Sequence, residues 1–330
     1  MLDWAEFRRL VDAADRIMLT THVRPDGDAL GSELAMRRLL LAKGKEVAIF
    51  NPSSTPPRYR FLDPTGNVVG FLSEATPAPP WSPDLFIVLD TGTWSQLPGL
   101  RPSFESSNAP KVVVDHHQTQ DDLGALRIVD VTQAACGMLV DQAFDEFDVE
   151  IDEEAATALF IAVATDTGWM HHPNAGPEVF QSLGKFVARG AKPNHIYRSL
   201  YEANSLARLR LLGRVLDKIK LRNDGTLATV TVTQADIAAV NAHPMDTEDF
   251  IVYLMSLSGV ETAALFIEQK DRRTTKVSFR SRGDVDCSKL AERFGGGGHK
   301  PAAGATVNMP LEEAEPAVVQ EMQRAMETAS

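Results

Sequence analysis

Cysteine is scarce in this chain of 330 residues: the two present, Cys136 and Cys287, lie far apart and without metal-ligand spacing. That excludes a disulfide scaffold and a thiolate zinc site, and it reads as two buried thiols in a reducing cytoplasm. Basic side chains are in deficit, 33 Lys and Arg against 45 Asp and Glu, for a formal net charge of −12. A protein that coats long nucleic acid by neutralising its backbone needs the opposite balance. A small anionic substrate held by a few local cations or by metal ions stays open. Long apolar runs are missing too. No stretch approaches the ~20 residues that a membrane span requires. Acidic side chains also interrupt the first twenty residues, where a secretory leader would carry its apolar core. The expected location is therefore cytoplasmic, with no membrane partner. A hydrophobic content of 44% and a charged content of 24% are those of a globular protein, and the length allows two domains with separate cores.

What the chain does have is a repeated pattern, an apolar strand that stops in a polar side chain. Lys111-Val-Val-Val-Asp115-His116-His117 puts three β-branched residues ahead of one carboxylate and two imidazoles. Residues 17–21 form a short strand entering His22-Val-Arg-Pro-Asp26-Gly-Asp28, where Pro25 and Gly27 mark a loop, and 29–43 then reads as an amphipathic helix closed by Gly44. Asp26 and Asp28 suit turn formation and helix capping as well as ligation. Residues 84–90, DLFIVLD, are another apolar strand ending in Asp90. Asp152 caps a mostly apolar helix that runs to about residue 165 and ends at Asp166-Thr-Gly168. Residues 46–51 and 126–130 add strands, and 133–147 a helix. Strands alternating with helices predict an α/β fold with a doubly wound, mainly parallel sheet, in which ligands gather at the carboxyl ends of the strands.

Beyond residue 218, after three further helices, the pattern changes. Helices are expected over 177–189, 194–202 and 205–218, the last connecting two domains. A β-hairpin over 219–233 turns at Asn223-Asp224-Gly225, followed by a helix over 247–257, strands over 262–269 and 275–282, and a helix over 287–294 capped by Asp286. The expected organisation is a metal-binding domain over 1–190, a helical linker over 191–220 and a second, smaller α/β domain over 221–330. The run Gly295-Gly-Gly-Gly298-His299-Lys300 follows a helix and does not open one from a strand, so it is not a dinucleotide fingerprint. Its backbone N–H groups can approach an anion closely, with His299 and Lys300 as further donors. Arg280, on the strand before it, is a candidate bidentate phosphate clamp.

Collected at strand and helix ends are His22, Asp26, Asp28, Asp90, Asp115, His116, His117 and Asp166. Carboxylates converging on one cleft repel one another, and the usual remedies are raised pKa values or bound divalent cations. Imidazole mixed with carboxylate suits Mn²⁺, Fe²⁺, Co²⁺ or Zn²⁺. Two such ions about 3.5–4 Å apart share and acidify a water and clamp a phosphoryl group, which points to phosphoester hydrolysis.

HVRPDGDALGS, VLDTG, VVVDHH and ATDTG, in that order, resemble the four metal-site motifs of the DHH phosphoesterase superfamily. FGGGGHKPAAGA, preceded by VSFRSR, is similar to the signature of the DHH-associated domain found in its RecJ-like NrnA subfamily. The resemblance implies two manganese ions, with Mg²⁺ or Co²⁺ as substitutes. His22, Asp26 and Asp90 would hold one ion, and Asp28, Asp90, His116 and Asp166 the other, so that Asp90 bridges. His117 would face the substrate phosphate or the leaving oxygen, and Asp115 would orient a neighbouring imidazole. Arg280, Gly296, Gly297, Gly298 and His299 would bind substrate. The implied activity is hydrolysis of oligoribonucleotides of roughly two to five nucleotides to mononucleotides, with removal of a phosphate from 3′-phosphoadenosine 5′-phosphate to give AMP. The implied partners are short single-stranded RNA, dinucleotides and that bisphosphate, and no long duplex; homodimer formation stays open. The alternatives are a phosphodiesterase acting on cyclic di-AMP or linear pApA and, from another class, a non-catalytic nucleotide sensor. The chain departs from the family pattern at Gln96 and Gln120, where relatives commonly carry arginine and asparagine.

Overall fold

The computed structural model describes residues 2–329 except Ala75, Pro77, Ala78 and Pro80, and only the backbone of His299 and Ala329. It divides into two compact units, Met1–Ala203 and Asn204–Ser330.

In the first unit, β1 (Arg16–Thr20), β2 (Glu46–Asn51), β3 (Val69–Phe71), β4 (Leu85–Leu89), β5 (Lys111–Asp115) and β6 (Leu126–Val129) form one sheet in the order β3-β2-β1-β4-β5-β6. Every pairing in it is parallel. The expected doubly wound parallel sheet is thus present. Its helices are α1 (Trp4–Ala13), α2 (Gly27–Ala42), α3 (Arg101–Glu105), α4 (Cys136–Glu146), α5 (Glu153–Asp166), α6 (Pro177–Ala188) and α7 (Pro193–Tyr201). Successive strand residues face opposite sides. Ile17, Leu19, Ile87, Val112 and Val114 join the main core with α2, α4 and α5, while Met18, Phe86, Val88 and Val113 pack against Leu100 and Phe104. A strand buried on both faces needs an unbroken apolar run, as FIVL and VVV are.

The second unit holds α8 (Leu206–Leu216), β7 (Lys220–Arg222), β8 (Leu227–Val232), α9 (Gln234–Ala239), α10 (Ile251–Met255), β9 (Thr262–Glu268), β10 (Thr275–Ser281), α11 (Cys287–Glu292), β11 (Gly297–His299), β12 (Ala302–Val307) and α12 (Leu311–Ala329). Its mixed sheet runs β11-β12-β10-β9-β8-β7, with β8 and β9 its one parallel pair. One face packs on α11 and α12 through Phe266, Phe279 and Val318, the other on α8 and α10 through Val230, Leu265 and Leu254.

Three expectations change. Residues 191–220 are shared between the units, because Ile196 and Leu200 of α7 join the first core while Leu211 and Val215 of α8 join the second. The helix expected over 247–257 shortens to α10, preceded by a 3₁₀ turn at Pro244–Thr247, because Asp249 takes a left-handed φ of 62° that a helix cannot continue through. The second half of the glycine run is in an edge strand: β11, which takes in Gly297 and Gly298, pairs antiparallel with β12. A Cβ on Gly296 would lie 2.1 Å from the Gly304 carbonyl oxygen, and one on Gly298 2.6 Å from that of Ala302. Close strand approach therefore demands glycine at both positions.

Candidate metal centre

From β1 the chain winds to one edge of the sheet through β2 and β3, and then to the other edge through β4, β5 and β6. The reversal between β1 and β4 is the switch point at which an open parallel sheet leaves a crevice beyond its strand ends. Thr20 pairs with Val88, and Leu89 with Val114, so His22, Asp90 and Asp115 emerge at nearly the same level. Asp90 takes a φ of 60°, which aspartate tolerates better than most residues but which still marks a strained strand end. Asp26 and Asp28 arrive at the start of α2, and Asp166 at the end of α5.

Three groups of ligand atoms lie within 4.8 Å of one another: His22 with Asp26 and Asp90, Asp28 with His116 and Asp166, and Asp90 with His116 and His117. Asp90 turns Oδ2 toward His22 Nε2 at 3.5 Å and Oδ1 toward His116 Nε2 at 3.4 Å. Asp26 Oδ1 is 3.8 Å from His22 Nε2, and His116 Nε2 is 3.7 Å from Asp28 Oδ2 and 3.8 Å from Asp166 Oδ2. Asp90 Oδ1 and His116 Nε2 are buried without a hydrogen-bond partner. Buried polar atoms are seldom left so, and a divalent cation held between them would satisfy both. The far ring nitrogens are anchored on carbonyls, His22 Nδ1 on Val23 at 3.1 Å and His116 Nδ1 on Gln133 at 3.2 Å, which directs each Nε2 inward.

Several of these side chains also have structural work. Asp26 Oδ1 caps α2, accepting from the N–H groups of Asp28 and Ala29 at 3.0 Å each. Asp28 faces the N-terminus of α4, accepting from Cys136 N at 2.6 Å and Gly137 N at 2.9 Å, and from Ser32 Oγ at 3.1 Å. Capping and ligation are therefore not exclusive readings: the same oxygens keep lone pairs toward the crevice.

The electrostatics are those of a site built for cations. Burial, reinforced by the charges of Asp90 and Asp166, pushes the Asp28 carboxyl well above its usual range. Burial likewise pushes Asp166 up to about 7, against the pull of His116. Burial opposes charge on His116, but Asp90, Asp28 and Asp166 outweigh it and raise the imidazole to about 10. His22 is raised well above its ordinary value, where Asp26 and Asp90 overcome burial. Asp90 is held below the carboxylate range, because His116 and His22 outweigh its own burial. Ligation of divalent cations would relieve this crowding of charge.

His117 is held differently. Asp115 Oδ1 accepts from His117 Nδ1 at 2.8 Å and from the backbone N–H groups of His116 and His117 at 2.8 and 3.1 Å. Gln120 Nε2 donates to Asp115 Oδ2 and to the His117 carbonyl. The Asp115 hydrogen bond raises the His117 imidazole above its ordinary value. Gly92 admits this arrangement, since a Cβ there would fall 1.8 Å from Gln120 Oε1.

Sequence reasoning missed Gln133, which lies before α4 and not inside the helix expected over 133–147, so that its carbonyl is available to His116. It also missed Glu33 and Asn51. Asn51 Oδ1 accepts from Thr21 N at 3.2 Å, and its Nδ2 donates to Glu33 Oε2 at 2.9 Å. That network braces the strand end carrying His22. Glu33 is fully buried, and burial, despite the Asn51 hydrogen bond, pushes its carboxyl up to about 8. The available signal was Asn51 itself, another polar residue closing a strand. His171 and His172 are exposed, with His172 Nδ1 3.4 Å from the Asp166 carbonyl.

The expected substrate residues belong to the second unit. Arg280 lies on β10 opposite Ala302, which also pairs with His299, so Arg280 and His299 stand at one level of the sheet, two strands apart. Arg280 Nη1 donates to the Phe279 carbonyl at 2.9 Å, and burial lowers its pKa. Gly296 precedes β11, and Gly297 and Gly298 lie on it; the side chain of His299 lies outside the described residues.

Carboxylates and imidazoles gathered at the switch point of a parallel sheet, with buried donor atoms facing one another across an unbonded gap, define a metal-dependent hydrolase. The chain belongs to the DHH phosphoesterase family: residues 16–163 match the DHH family N-terminal domain, and residues 224–328 the DHHA1 domain. It is 32% identical over 292 residues, 88% of this chain and 84% of the other, to a Thermus thermophilus protein described as a bifunctional oligoribonuclease and PAP phosphatase NrnA. A Bacillus subtilis protein of the same description is 26% identical over 92% of both chains. Among solved structures, an exopolyphosphatase-related protein from Bacteroides fragilis superposes with a TM-score of 0.90 at 25% identity, covering 98% of this chain and 95% of that one.

Proposed function

We propose that this chain is a two-manganese phosphoesterase that hydrolyses oligoribonucleotides of roughly two to five nucleotides to mononucleotides and dephosphorylates 3′-phosphoadenosine 5′-phosphate to AMP. The observation that carries the proposal is Asp90, whose two oxygens face His22 on one side and His116 on the other. That is the disposition a carboxylate shared by two cations requires. The description of the Thermus relative, over 84% of its length, supports the substrate class.

His22, Asp26 and Asp90 would hold one cation, and Asp28, Asp90, His116 and Asp166 the other. When bound, the pair supplies Lewis acidity and an acidified water for attack on phosphorus. The chain's own residues do the rest. Asp115, locked by Gln120, holds Nδ1 of His117, and the ring would face the substrate phosphate or the leaving oxygen. The Asp115 hydrogen bond raises that ring's pKa above its ordinary value, which suits it to donate a proton to the leaving oxygen. Arg280 and the backbone of β11 would take a second anionic or polar part of the substrate. The −12 net charge disfavours capture of a long phosphate backbone, so short substrates are favoured.

The test is product analysis of end-labelled RNAs of about two to twenty nucleotides, beside 3′-phosphoadenosine 5′-phosphate and cyclic di-AMP, with Mn²⁺ present. Di- to pentanucleotides should lose one mononucleotide at a time, with kcat/KM at least about tenfold above that of a twenty-mer. Equal kcat/KM for a dinucleotide and a twenty-mer overturns the short-substrate reading. Preferential turnover of cyclic di-AMP replaces it with a cyclic-dinucleotide phosphodiesterase.

A further inference from the structure

Past Asp166 the chain enters Gly168, Trp169 and Met170 with φ of 57°, 59° and 61°. Successive non-glycine residues in the left-handed region persist only where packing over-determines them. Here Trp169 supplies the packing. Its ring meets Phe160 of α5 at 5.8 Å, and Tyr197 and Tyr201 of α7 at 5.2 and 5.6 Å. Tyr197 and Tyr201, one helical turn apart, are 5.0 Å from each other. The Arg58 guanidinium lies over Tyr201 at 5.5 Å and over Tyr59 at 5.4 Å. The cluster is open on one side, where a cavity of about 420 Å³ is lined by Trp169, Pro193, Asn194, Tyr197, Arg198 and Glu202. Tyr197 there is 39% exposed.

Two features tie this cavity to the metal centre. Trp169 follows Asp166 by three residues, so their α-carbons are within ~11 Å even if the chain were fully extended. Arg58 and Tyr59 belong to the 3₁₀ turn Pro57–Leu62 beyond the carboxyl end of β2, the neighbour of β1. The loop entering that turn is bound to the His22 loop by the hydrogen bond from Arg24 N to Ser53 Oγ at 2.7 Å. The aromatic cluster therefore borders the carboxyl end of the sheet, where the carboxylates and imidazoles converge.

The lining suits a flat heteroaromatic ring. Trp169, Tyr197 and Pro193 offer π and apolar surface, and Asn194, Arg198 and Glu202 offer donors and acceptors at the rim. Arg198 and Glu202 are a loose, exposed pair at 3.5 Å, and such pairs reorient at little cost. One arginine already beside a carboxylate does not make a phosphate pocket. We propose that this cavity is a nucleobase-stacking subsite that takes the base of the nucleotide adjoining the phosphate under attack, with Tyr197 as the outer platform and Trp169 as the wall. The proposal rests on the phosphoesterase reading above and adds the group that recognises a nucleotide as such.

The experiment compares AMP with ribose 5-phosphate on the manganese-loaded full chain, since the two share the phosphate and sugar and differ in the base. AMP should bind about tenfold more tightly, the scale of one stacked base. Tyr197→Ala, at a half-exposed position and shown folded by its thermal unfolding, should abolish that ratio and raise KM for a dinucleotide with kcat little changed. Tyr197→Phe, which keeps the ring, should behave as the parent. Equal binding of AMP and ribose 5-phosphate by the parent, or a ratio that survives Tyr197→Ala, overturns the proposal. A protein that shows the ratio and loses it in Tyr197→Ala, yet cleaves no short oligonucleotide, leaves the base subsite standing and removes the oligoribonuclease reading instead.

Discussion

Gly31→Ala should damage the metal centre from a distance. Gly31 lies in α2 where that helix meets α5. An added Cβ would fall 2.4 Å from the Ala158 carbonyl oxygen and 2.9 Å from the Ala162 nitrogen. Both are backbone atoms, so no rotamer change relieves the clash and the helices must separate by about 1 Å to reach ordinary contact. α2 carries Asp28 in its first turn and α5 ends in Asp166, and both belong with His116 to one cluster of donor atoms. Overpacking of this kind costs about 1–3 kcal/mol. The better helix propensity of alanine offsets at most ~1 kcal/mol of that. Metal sites tolerate only ~0.2 Å in ligand distance, and a 1 Å misplacement in an active site costs roughly 100-fold in rate. The expected result is a modest loss of stability in urea, a large loss of bound manganese by elemental analysis, and at least ~100-fold lower kcat/KM. Gly184→Ala is the control: that glycine lies in α6 with nothing within 4 Å of the added Cβ, and the change should stabilise by ~0.5–1 kcal/mol without touching activity. Parental stability and parental manganese content in Gly31→Ala would refute the packing argument.

Two further outcomes are expected. Asp90→Asn should keep the fold, because asparagine tolerates the left-handed φ of 60°, while turnover falls to background; Mn²⁺ at about a hundred times Kd should raise the unfolding free energy of the parent by ~2.7 kcal/mol per site and that of the variant by far less, and near-parental turnover in Asp90→Asn at saturating Mn²⁺ would sink the shared-carboxylate assignment. Asp152 caps α5 by accepting from Ala155 N at 2.8 Å and also pairs with Arg38; burial opposes the lowering of its pKa, but these partners prevail. A depressed carboxyl contributes stability that is full above its unfolded value near 3.9 and is lost as pH falls through the folded value. Asp152→Ala should therefore cost ~1 kcal/mol at neutral pH, with the deficit shrinking below about pH 4; urea melts across pH check this, and a deficit that grows on acidification contradicts it.

What the sequence determined by itself was local chemistry: apolar strands ending in Asp90 and in Asp115-His116-His117, the cap at Asp152, and the alternation that makes a parallel sheet. Strand periodicity, turn residues and caps are properties of near neighbours along the chain, so they can be read without a fold. Tertiary structure alone decided which strand ends meet. The reversal between β1 and β4 brings His22 to within 3.5 Å of Asp90, 68 residues away, and no local pattern encodes that pairing. It also decided the second purposes of several residues. Gln133 lends a carbonyl to His116, Glu33 is buried against Asn51, and Gly31 and Gly92 are glycines because another segment's atoms occupy the space a Cβ would need. Those constraints arise from packing between segments distant in sequence. A sequence read along its length shows the candidate residues, and only the packed sheet and its helices decide which of them meet and at what distances.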